Sequence, residues 1–546
     1  MIGERVVPVR VVDQTTKLPM ELWHEVISYL PDKDVRNLFP VSRLFRRLCY
    51  GRAFSHLVVR ESPHITEEAL FESSIPYQIS LLKETTRRLK ELSSDPHLSG
   101  LRDTVRAWTH RGNPDFYPHL YRRGKITDDR IVKAFTVMVK AFATHLPTYP
   151  HLQSVTLHCL VVRDSTMKAL QLTSSLHTLE LVECDLRFSR EWHLPLSCLA
   201  VSQITEEPRT GPSALPVAPT IVSPLRLRTL HLDDGQWTSH ILSSLPTSGP
   251  YDHLTDLTIL MQTWDNVALF DLLRACPQIR NLRFTRLFNV TSYRRLLPVN
   301  LVPHLESYDG PLHLADVFAR SRWLITARLD LEETDRWGLT RTIYSPASAA
   351  AALTTFCQLT PNLRCLVISG LYATFDSDSL QVVRVTGDCL PQLSRLEISL
   401  RFPYLYGSSS KYEGTYPINW ARIARPSTKS CATISQFIEA WSRRENPNTV
   451  QGIIFRIIRG EATLPPDLQE FVLCDEVNTH KKSHVDVEKL PTVLSALTRA
   501  YPKLRKIGFG GDRWIRTLGQ SPGQWSWTRH RVVGKLSERA MDTLFL

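Results

Sequence analysis

One apolar sequence pattern, LxxLxL, recurs along the chain from about residue 150 onward, and well-matched successive copies are about 25 residues apart. Because side chains alternate between the faces of a β-strand, the last two apolar residues of each copy share one face and the residue between them points to the other. Helical segments at 264–278, 347–361 and 487–502 separate several copies, which predicts an α/β chain of stacked units. The copies begin at Leu152, Leu176, Leu196, Leu227, Leu254, Ile279, Leu305, Leu324, Leu363, Leu393, Val450, Leu468 and Leu504.

This pattern is similar to the leucine-rich repeat, most closely in LHTLELVECDL at 176–186. Cys184 stands there at the position whose side chain bonds the backbone of the turn in that family. Copies around Leu196 and Leu305 match it least. The resemblance implies a solenoid over residues 146–512, a horseshoe with strands on the concave face and helices on the convex face. A Pro-rich insertion at 202–224 and a Tyr-rich one at 401–430 interrupt it. Residues 513–546 are expected to cap the last repeat.

A second pattern occupies the N-terminal region, after a tail at 1–16. The sequence KLPMELWHEVISYLPDKDVRNLFPVSRLFRRLCY at 17–50 predicts three short helices, since Pro31 and Pro40 break the helical periodicity twice. Leu22, Val26, Ile27 and Leu30 form one apolar stripe on the first helix. Three such helices cannot bury a full core alone, so a partner or the next domain is expected to cover some apolar side chains.

Residues 17–60 resemble an F-box, the motif that docks substrate receptors onto Skp-type adaptors of cullin–RING ubiquitin ligases. The chain as a whole is similar in sequence pattern to divergent fungal F-box proteins with leucine-rich repeats. The opening LP, the LP twelve residues on and the following VSxxF carry this resemblance, from which Pro40 is the main departure. Residues 61–145 are then a helical linker with a candidate first strand at 105–108. The residues that the resemblance assigns to the adaptor or its supporting core are Leu18, Pro19, Leu22, Ile27, Leu30, Pro31, Leu38 and Val41.

Composition and missing motifs argue against several other classes of protein. The net charge of +12 comes from 66 basic and 54 acidic residues spread in small groups, whereas nucleic-acid binders concentrate their basic residues. The ten cysteines include no CxxC pair, so we expect no metal site. The chain has no phosphate-binding or catalytic motif, so we expect neither an enzyme nor a cofactor. Without a signal peptide or a long apolar run, we expect a soluble protein of the cytoplasm or nucleus, away from the membrane.

The sequence therefore predicts a substrate-recognition subunit of an SCF-type ubiquitin ligase that binds an unknown target protein. A scaffold that binds the adaptor without degradation shares every one of these features, and a nucleic-acid-binding repeat protein is a third possibility. The charged outward positions of the repeat strands and the aromatic insertion are candidates for holding an acidic or phosphorylated segment, although such charges also solvate an exposed sheet. These target-binding candidates are Arg283, Arg328, Arg395, Glu397, Arg456, Lys506, Tyr412 and Trp420.

Overall fold

The structure is a computed structural model of the chain. The residues it describes divide into two compact units, a first unit within residues 1–248 and a second within 249–546. The described residues are 19–60, 75–96, 99–112, 129–187, 192–202, 221, 223, 225–233, 251–261, 266–287, 301–334, 340–342, 344–372, 379–401, 450–475, 490–509, 512–518 and 525–531.

Helices occur throughout the described part of both units. A short 3-10 helix, Leu146–Thr148, follows one of them. The α-helices are α1 (Met20–Tyr29), α2 (Asp32–Leu38), α3 (Arg43–Ala53), α4 (Ile75–Ser94), α5 (Ser99–Thr104), α6 (Asp129–His145) and α7 (Asp164–Leu172) in the first unit, and α8 (Asn266–Ala275), α9 (Leu312–Phe318), α10 (Pro346–Leu359), α11 (Leu380–Cys389), α12 (Val450–Ile458) and α13 (Leu490–Ala500) in the second.

Strands alternate with these helices and with irregular segments. Those of the first unit are β1 (His56–Arg60), β2 (Ala107–Arg111), β3 (Ser154–His158), β4 (Val161–Arg163), β5 (Thr178–Val182), β6 (Asp185–Arg187), β7 (Cys198–Ser202) and β8 (Thr229–Asp233). Those of the second unit are β9 (Asp256–Met261), β10 (Asn281–Leu287), β11 (Ser307–Pro311), β12 (Thr326–Asp330), β13 (Glu332–Thr334), β14 (Thr340–Thr342), β15 (Cys365–Tyr372), β16 (Arg395–Arg401), β17 (Glu470–Asp475), β18 (Lys506–Phe509), β19 (Asp512–Leu518) and β20 (Trp525–Arg531).

Each unit is built on a long sheet whose order follows the chain. In the first unit, β1, β2, β3, β5, β7 and β8 pair in parallel, and β4 pairs with β6 beside them. In the second, β9, β10, β11, β12, β15, β16, β17 and β18 pair in parallel, and β19 and β20 continue the sheet antiparallel. Strands β13 and β14 form a separate antiparallel pair. The α/β class is confirmed, and this order is consistent with a repeat solenoid.

The apolar positions of the repeats stand in register across each sheet. Val155, Leu179, Leu199 and Leu230 are successive partners in the first unit and are fully buried. Burying one such side chain contributes about 1.5–3 kcal/mol relative to leaving it exposed. Strands also form at the two weakest copies, where Leu196 and Leu305 are buried.

A β-turn precedes every repeat strand of the second unit and some of the first. The backbone N–H of the first apolar residue donates to the carbonyl three residues earlier, as Leu363 does to Thr360 and Leu504 to Tyr501. Six of the second unit's eight turns have proline in the second position, where its fixed φ suits the turn. Those prolines are Pro277, Pro303, Pro361, Pro391, Pro466 and Pro502.

Aromatic packing in the second unit explains one unusual repeat. Tyr308 takes the place of a repeat leucine, is fully buried, and donates from its hydroxyl to the Pro311 carbonyl oxygen at 2.8 Å. Its ring stacks on Phe318 with 5.3 Å between centroids. Gly310 stands where the last apolar residue belongs, and a Cβ atom there would lie 2.8 Å from the Phe284 ring and 3.0 Å from the Tyr308 hydroxyl. The large ring thus fits because its neighbour is small.

Cys184, which follows β5, bonds the backbone of a neighbouring strand. Its thiol is buried and donates to the backbone oxygen of Leu157 on the neighbouring strand, with 3.1 Å between sulfur and oxygen. Two preceding turns use left-handed backbone at residues other than glycine, with φ of 60° at Cys159 and 53° at Glu183. These residues follow β3 and β5 at equivalent places, and the Cys159 thiol donates to the Glu183 carboxylate at 3.3 Å.

The structure also corrects the sequence analysis. The copy predicted at Val450, Ile453 and Phe455 is wrong as a strand, because these residues belong to α12, where most of the apolar run is buried. The parallel sheet begins at β1, before residue 146, so residues 17–60 contain a sheet strand as well as the three helices. Most of 202–224 and all of 402–430 lie outside the described residues.

Candidate interaction surfaces

The first candidate surface is the helical module, defined as residues 19–53 with helices α1, α2 and α3. Its core contains five buried residues, with Trp23, Leu30, Leu38 and Phe39 packed against them. The Trp23 and Phe45 rings meet edge to face, with 5.0 Å between centroids. The buried residues are Ile27, Val35, Phe45, Leu48 and Cys49.

The apolar stripe predicted for α1 divides into two faces. Trp23, Ile27 and Leu30 lie one helical turn apart and face the module's core, with Ile27 only 3% exposed. Leu22, Val26 and Tyr29 follow the same spacing on another face and are 45%, 45% and 79% exposed. Helix α1 therefore presents an exposed apolar row, the α1 row of Leu22, Val26 and Tyr29, which packing within the module leaves uncovered.

Local contacts fix the orientation of α1 and α3. The Ser42 hydroxyl caps α3 by accepting a hydrogen bond from the Phe45 N–H at 3.2 Å. The Arg52 guanidinium donates to the Ile27 carbonyl at the end of α1, which ties the two helices together. At the unusual Pro40, the chain makes a tight turn in which the Val41 N–H donates to the Leu38 carbonyl at 3.0 Å.

The residues predicted to bind the adaptor have different environments. Ile27 is buried, and Leu30 and Leu38 are half-buried in the core, so these three support the surface and do not form it. Leu22 and Val41 are exposed, as are Pro19 and Pro31, which precede α1 and α2. Leu18 lies outside the described residues.

Exposed Val26, Tyr29 and Met20 were missing from the predicted adaptor set. Helical spacing from Leu22 could have identified Val26 and Tyr29, because residues four and seven positions on share its face. The sequence could not show which of two adjacent apolar faces the other helices cover.

The second candidate surface is the outward face of the second unit's sheet, where charged side chains pair across strands. Arg283 Nε lies 3.1 Å from Asp309 Oδ2 on the next strand. Arg395 lies 3.1 Å from Glu397 and 3.9 Å from Glu470, and Lys506 lies 3.9 Å from the other oxygen of Glu470.

The predicted target-binding residues are therefore only partly brought together. Arg395, Glu397 and Lys506 share one cluster of charges with Glu470, whereas Arg283 pairs separately with Asp309. Arg328 is on β12 of the same sheet, next to Asp309 in register.

Arg456 was predicted on the wrong surface. It belongs to α12, and its guanidinium is 2.7 Å from Glu461. The predicted aromatic contacts, Tyr412 and Trp420, lie outside the described residues.

Comparisons with known proteins add no further identification. The chain matches no protein-family model, and no curated protein is significantly similar to it. In the described part of the chain, no group of three or more His, Cys, Asp or Glu side chains is arranged to hold a metal ion. No helix among the described residues is both long and apolar enough to cross a membrane.

Proposed function

We propose that this protein is the substrate-recognition subunit of an SCF-type ubiquitin ligase. The observation that carries the proposal is the α1 row of Leu22, Val26 and Tyr29, exposed on a three-helix module whose sequence resembles an F-box. An apolar row on a helix that its own module does not cover suits a protein partner. In this proposal that partner is a Skp-type adaptor, which links the chain to a cullin–RING ligase.

The finer fold belongs to the same proposal. The stacked strands, the entrance turns and the Cys184 bond support leucine-rich repeats, in which a horseshoe carries strands on its concave face and helices on its convex face. The repeats would bind the target protein, and partner enzymes would transfer ubiquitin. The chain itself would then be non-catalytic and need no cofactor, and its work with a ligase implies a cytoplasmic or nuclear location.

Co-purification tests this proposal directly. The full chain is co-expressed with a Skp-type adaptor and a cullin, and the complex is compared between the wild type and a Leu22→Ala, Val26→Ala double variant. The α1 row is exposed, so the double variant is expected to lose the adaptor without unfolding. Leu172→Ala is the matched control, since Leu172 is an exposed leucine on the different helix α7.

Three results are informative. Recovery of adaptor and cullin with the wild type and the control, but not with the double variant, supports the ligase subunit. Recovery of the adaptor without cullin favours the non-degradative scaffold. Failure of the wild type to bind the adaptor contradicts the F-box interpretation.

A further inference from the structure

Two apolar side chains are exposed on the second unit where the other repeats are polar. Trp323 is 60% exposed and Ile325 is 45% exposed. Leu324 between them is buried as the first apolar residue of its repeat, so both neighbours point away from the core. Single exposed apolar residues are common on proteins, and the meaning of this pair depends on comparison with the equivalent positions.

The unit's other seven repeats carry polar residues at both positions. Before the buried residue the chain has His253, Gln278, His304, Asn362, Gln392, Asp467 and Lys503. After it the chain has Thr255, Arg280, Glu306, Arg364, Ser394, Gln469 and Arg505. The repeat fold therefore places no demand for an apolar residue at either position.

The backbone holds this pair in a defined place. Ser321 begins the entrance turn, and its hydroxyl donates to the carbonyls of Pro303 at 3.1 Å and Leu305 at 2.9 Å. Ile325 is paired on both sides, because its N–H donates to Glu306 and its carbonyl accepts from the Arg364 N–H. Residues on a backbone that is already fixed in this way lose little conformational freedom when they bind a partner.

Basic residues adjoin the pair along the chain and on the next repeat. Arg320 and Arg322 are exposed, and neither guanidinium has an ion-pair partner among the described residues. Arg364, also exposed, follows Ile325 on the next repeat. The nearby carboxylate of Glu306 is 3.1 Å from Arg280, which offsets its charge.

We propose that Trp323 and Ile325, with Arg320, Arg322 and Arg364 beside them, bind a short acidic segment of another protein that carries an apolar side chain. Tryptophan and arginine are the residues on which binding energy is most often concentrated at protein interfaces. The apolar side chain of the segment would pack on Trp323 and Ile325, and its carboxylates would pair with the arginines. The inference goes beyond the proposed function, since it rests on the second unit alone and holds whether or not the helical module binds an adaptor.

Fluorescence polarisation with labelled synthetic peptides tests the inference on the full chain. Three peptide pools are compared, one with apolar residues flanked by Asp and Glu, one with the same apolar residues flanked by Lys, and one acidic with Ser at the apolar positions. The first pool is expected to bind about tenfold or more tightly than the others. Its affinity should also weaken as salt rises, because exposed charges are screened.

Matched variants locate the site. Trp323→Ala is expected to lose most binding of the first pool, and Arg320→Glu with Arg322→Glu should shift preference toward the lysine pool. Leu172→Ala and Arg499→Glu, which change an exposed leucine on α7 and an exposed arginine on α13, should bind as the wild type does. Equal binding of the three pools would overturn the inference, as would Trp323→Ala binding like the wild type with an unchanged thermal midpoint. Self-association of the wild type that Trp323→Ala abolishes, without a peptide preference, would show a second copy as the occupant and also overturn it.

Discussion

Arg395 of β16 and Glu470 of β17 are register partners on adjacent parallel strands, with 3.9 Å between Nε and Oε1. Glu397 lies 3.1 Å from the same guanidinium, so one arginine is between two carboxylates. The charge of Arg395, which the strand pattern predicts to face a target, is thus paired within the sheet.

We expect Arg395→Glu to destabilise the second unit by about 1 kcal/mol, because like charges facing each other across strands repel. Arg395→Met keeps much of the stem and adds no charge, so it is expected to cost less. Chemical denaturation of both variants at low and high salt measures the difference, which should shrink as salt screens the repulsion. Equal stability of the two variants would show that the cluster contributes nothing.

The helical module separates surface from core within one helix. Ile27→Ala should destabilise the module by about 2–4 kcal/mol, since it truncates a buried side chain, whereas Val26→Ala removes an exposed one and should cost well below 1 kcal/mol. Hydrogen exchange of residues 20–53 in the full chain compares the two variants. Similar exchange in both would mean that the assignment of the α1 faces is wrong.

The repeat register can be tested with two adjacent residues of β5. Leu179→Asp places a charge at a fully buried position without a partner and should unfold the first unit. Glu180→Ala removes only a half-buried carboxylate that accepts from the Thr156 hydroxyl at 3.2 Å, so a loss of about 0.5–1.5 kcal/mol is expected. Thermal melts by circular dichroism that coincide for the two variants would contradict the register.

Gly310 offers a test of packing around Tyr308. Gly310→Ala should destabilise the second unit by about 1–3 kcal/mol, because the new methyl group would overlap the Phe284 and Tyr308 rings. Gly100→Ala is the matched control in α5, where a Cβ atom meets nothing within 4 Å and the change should be neutral or slightly stabilising. Denaturant titration of both variants gives the comparison, and a stable Gly310→Ala protein would show that the rings can move aside.

Buried cysteines give a pH-dependent prediction. Burial raises the pKa of the Cys276 and Cys357 thiols from 9.0 to about 12. Both thiols should resist iodoacetamide at pH 8 in the folded protein and react after denaturation, because the thiolate is the nucleophile. Their protonated burial contributes stability in full below about pH 9, and this contribution falls as pH rises toward 12. Rapid alkylation of either cysteine in the native protein, read by mass spectrometry, would contradict this.

The repeat core was predictable because its sequence pattern is regular. A buried first leucine, a turn and an alternating pair recur in nearly every copy, and the structure confirms strands even at Leu196 and Leu305. The error at Val450 has a physical cause, since VQGIIFRII is apolar on nearly every position and such a run suits a buried strand or a buried helix equally.

The candidate sites were less predictable because they depend on partners across the sheet. Strand alternation correctly placed Arg283 and Arg395 on one face, yet it could not show that Asp309 and Glu470 would neutralise them. The sequence alone does not single out Trp323, because an isolated exposed aromatic residue has no periodic pattern. Trp323 stands out only when the turns are aligned by their hydrogen bonds, because the equivalent positions of the other repeats are then seen to be polar.

These entrance turns have a consequence for how the protein could change. Each turn of the second unit has a backbone hydrogen bond and ends on a buried side chain, whereas the residues on either side of that buried side chain lie outside the core. The row they form along the second unit is thus an adaptable surface on a constant frame, where recognition of a new partner would require only a few substitutions. Trp323 and Ile325 occupy two positions of this row. Grafting the same pair onto Asn362 and Arg364 would show whether an apolar contact can be moved one repeat along, against the loss of the hydrogen bonds that these two side chains donate to the Arg322 and Gln392 carbonyls.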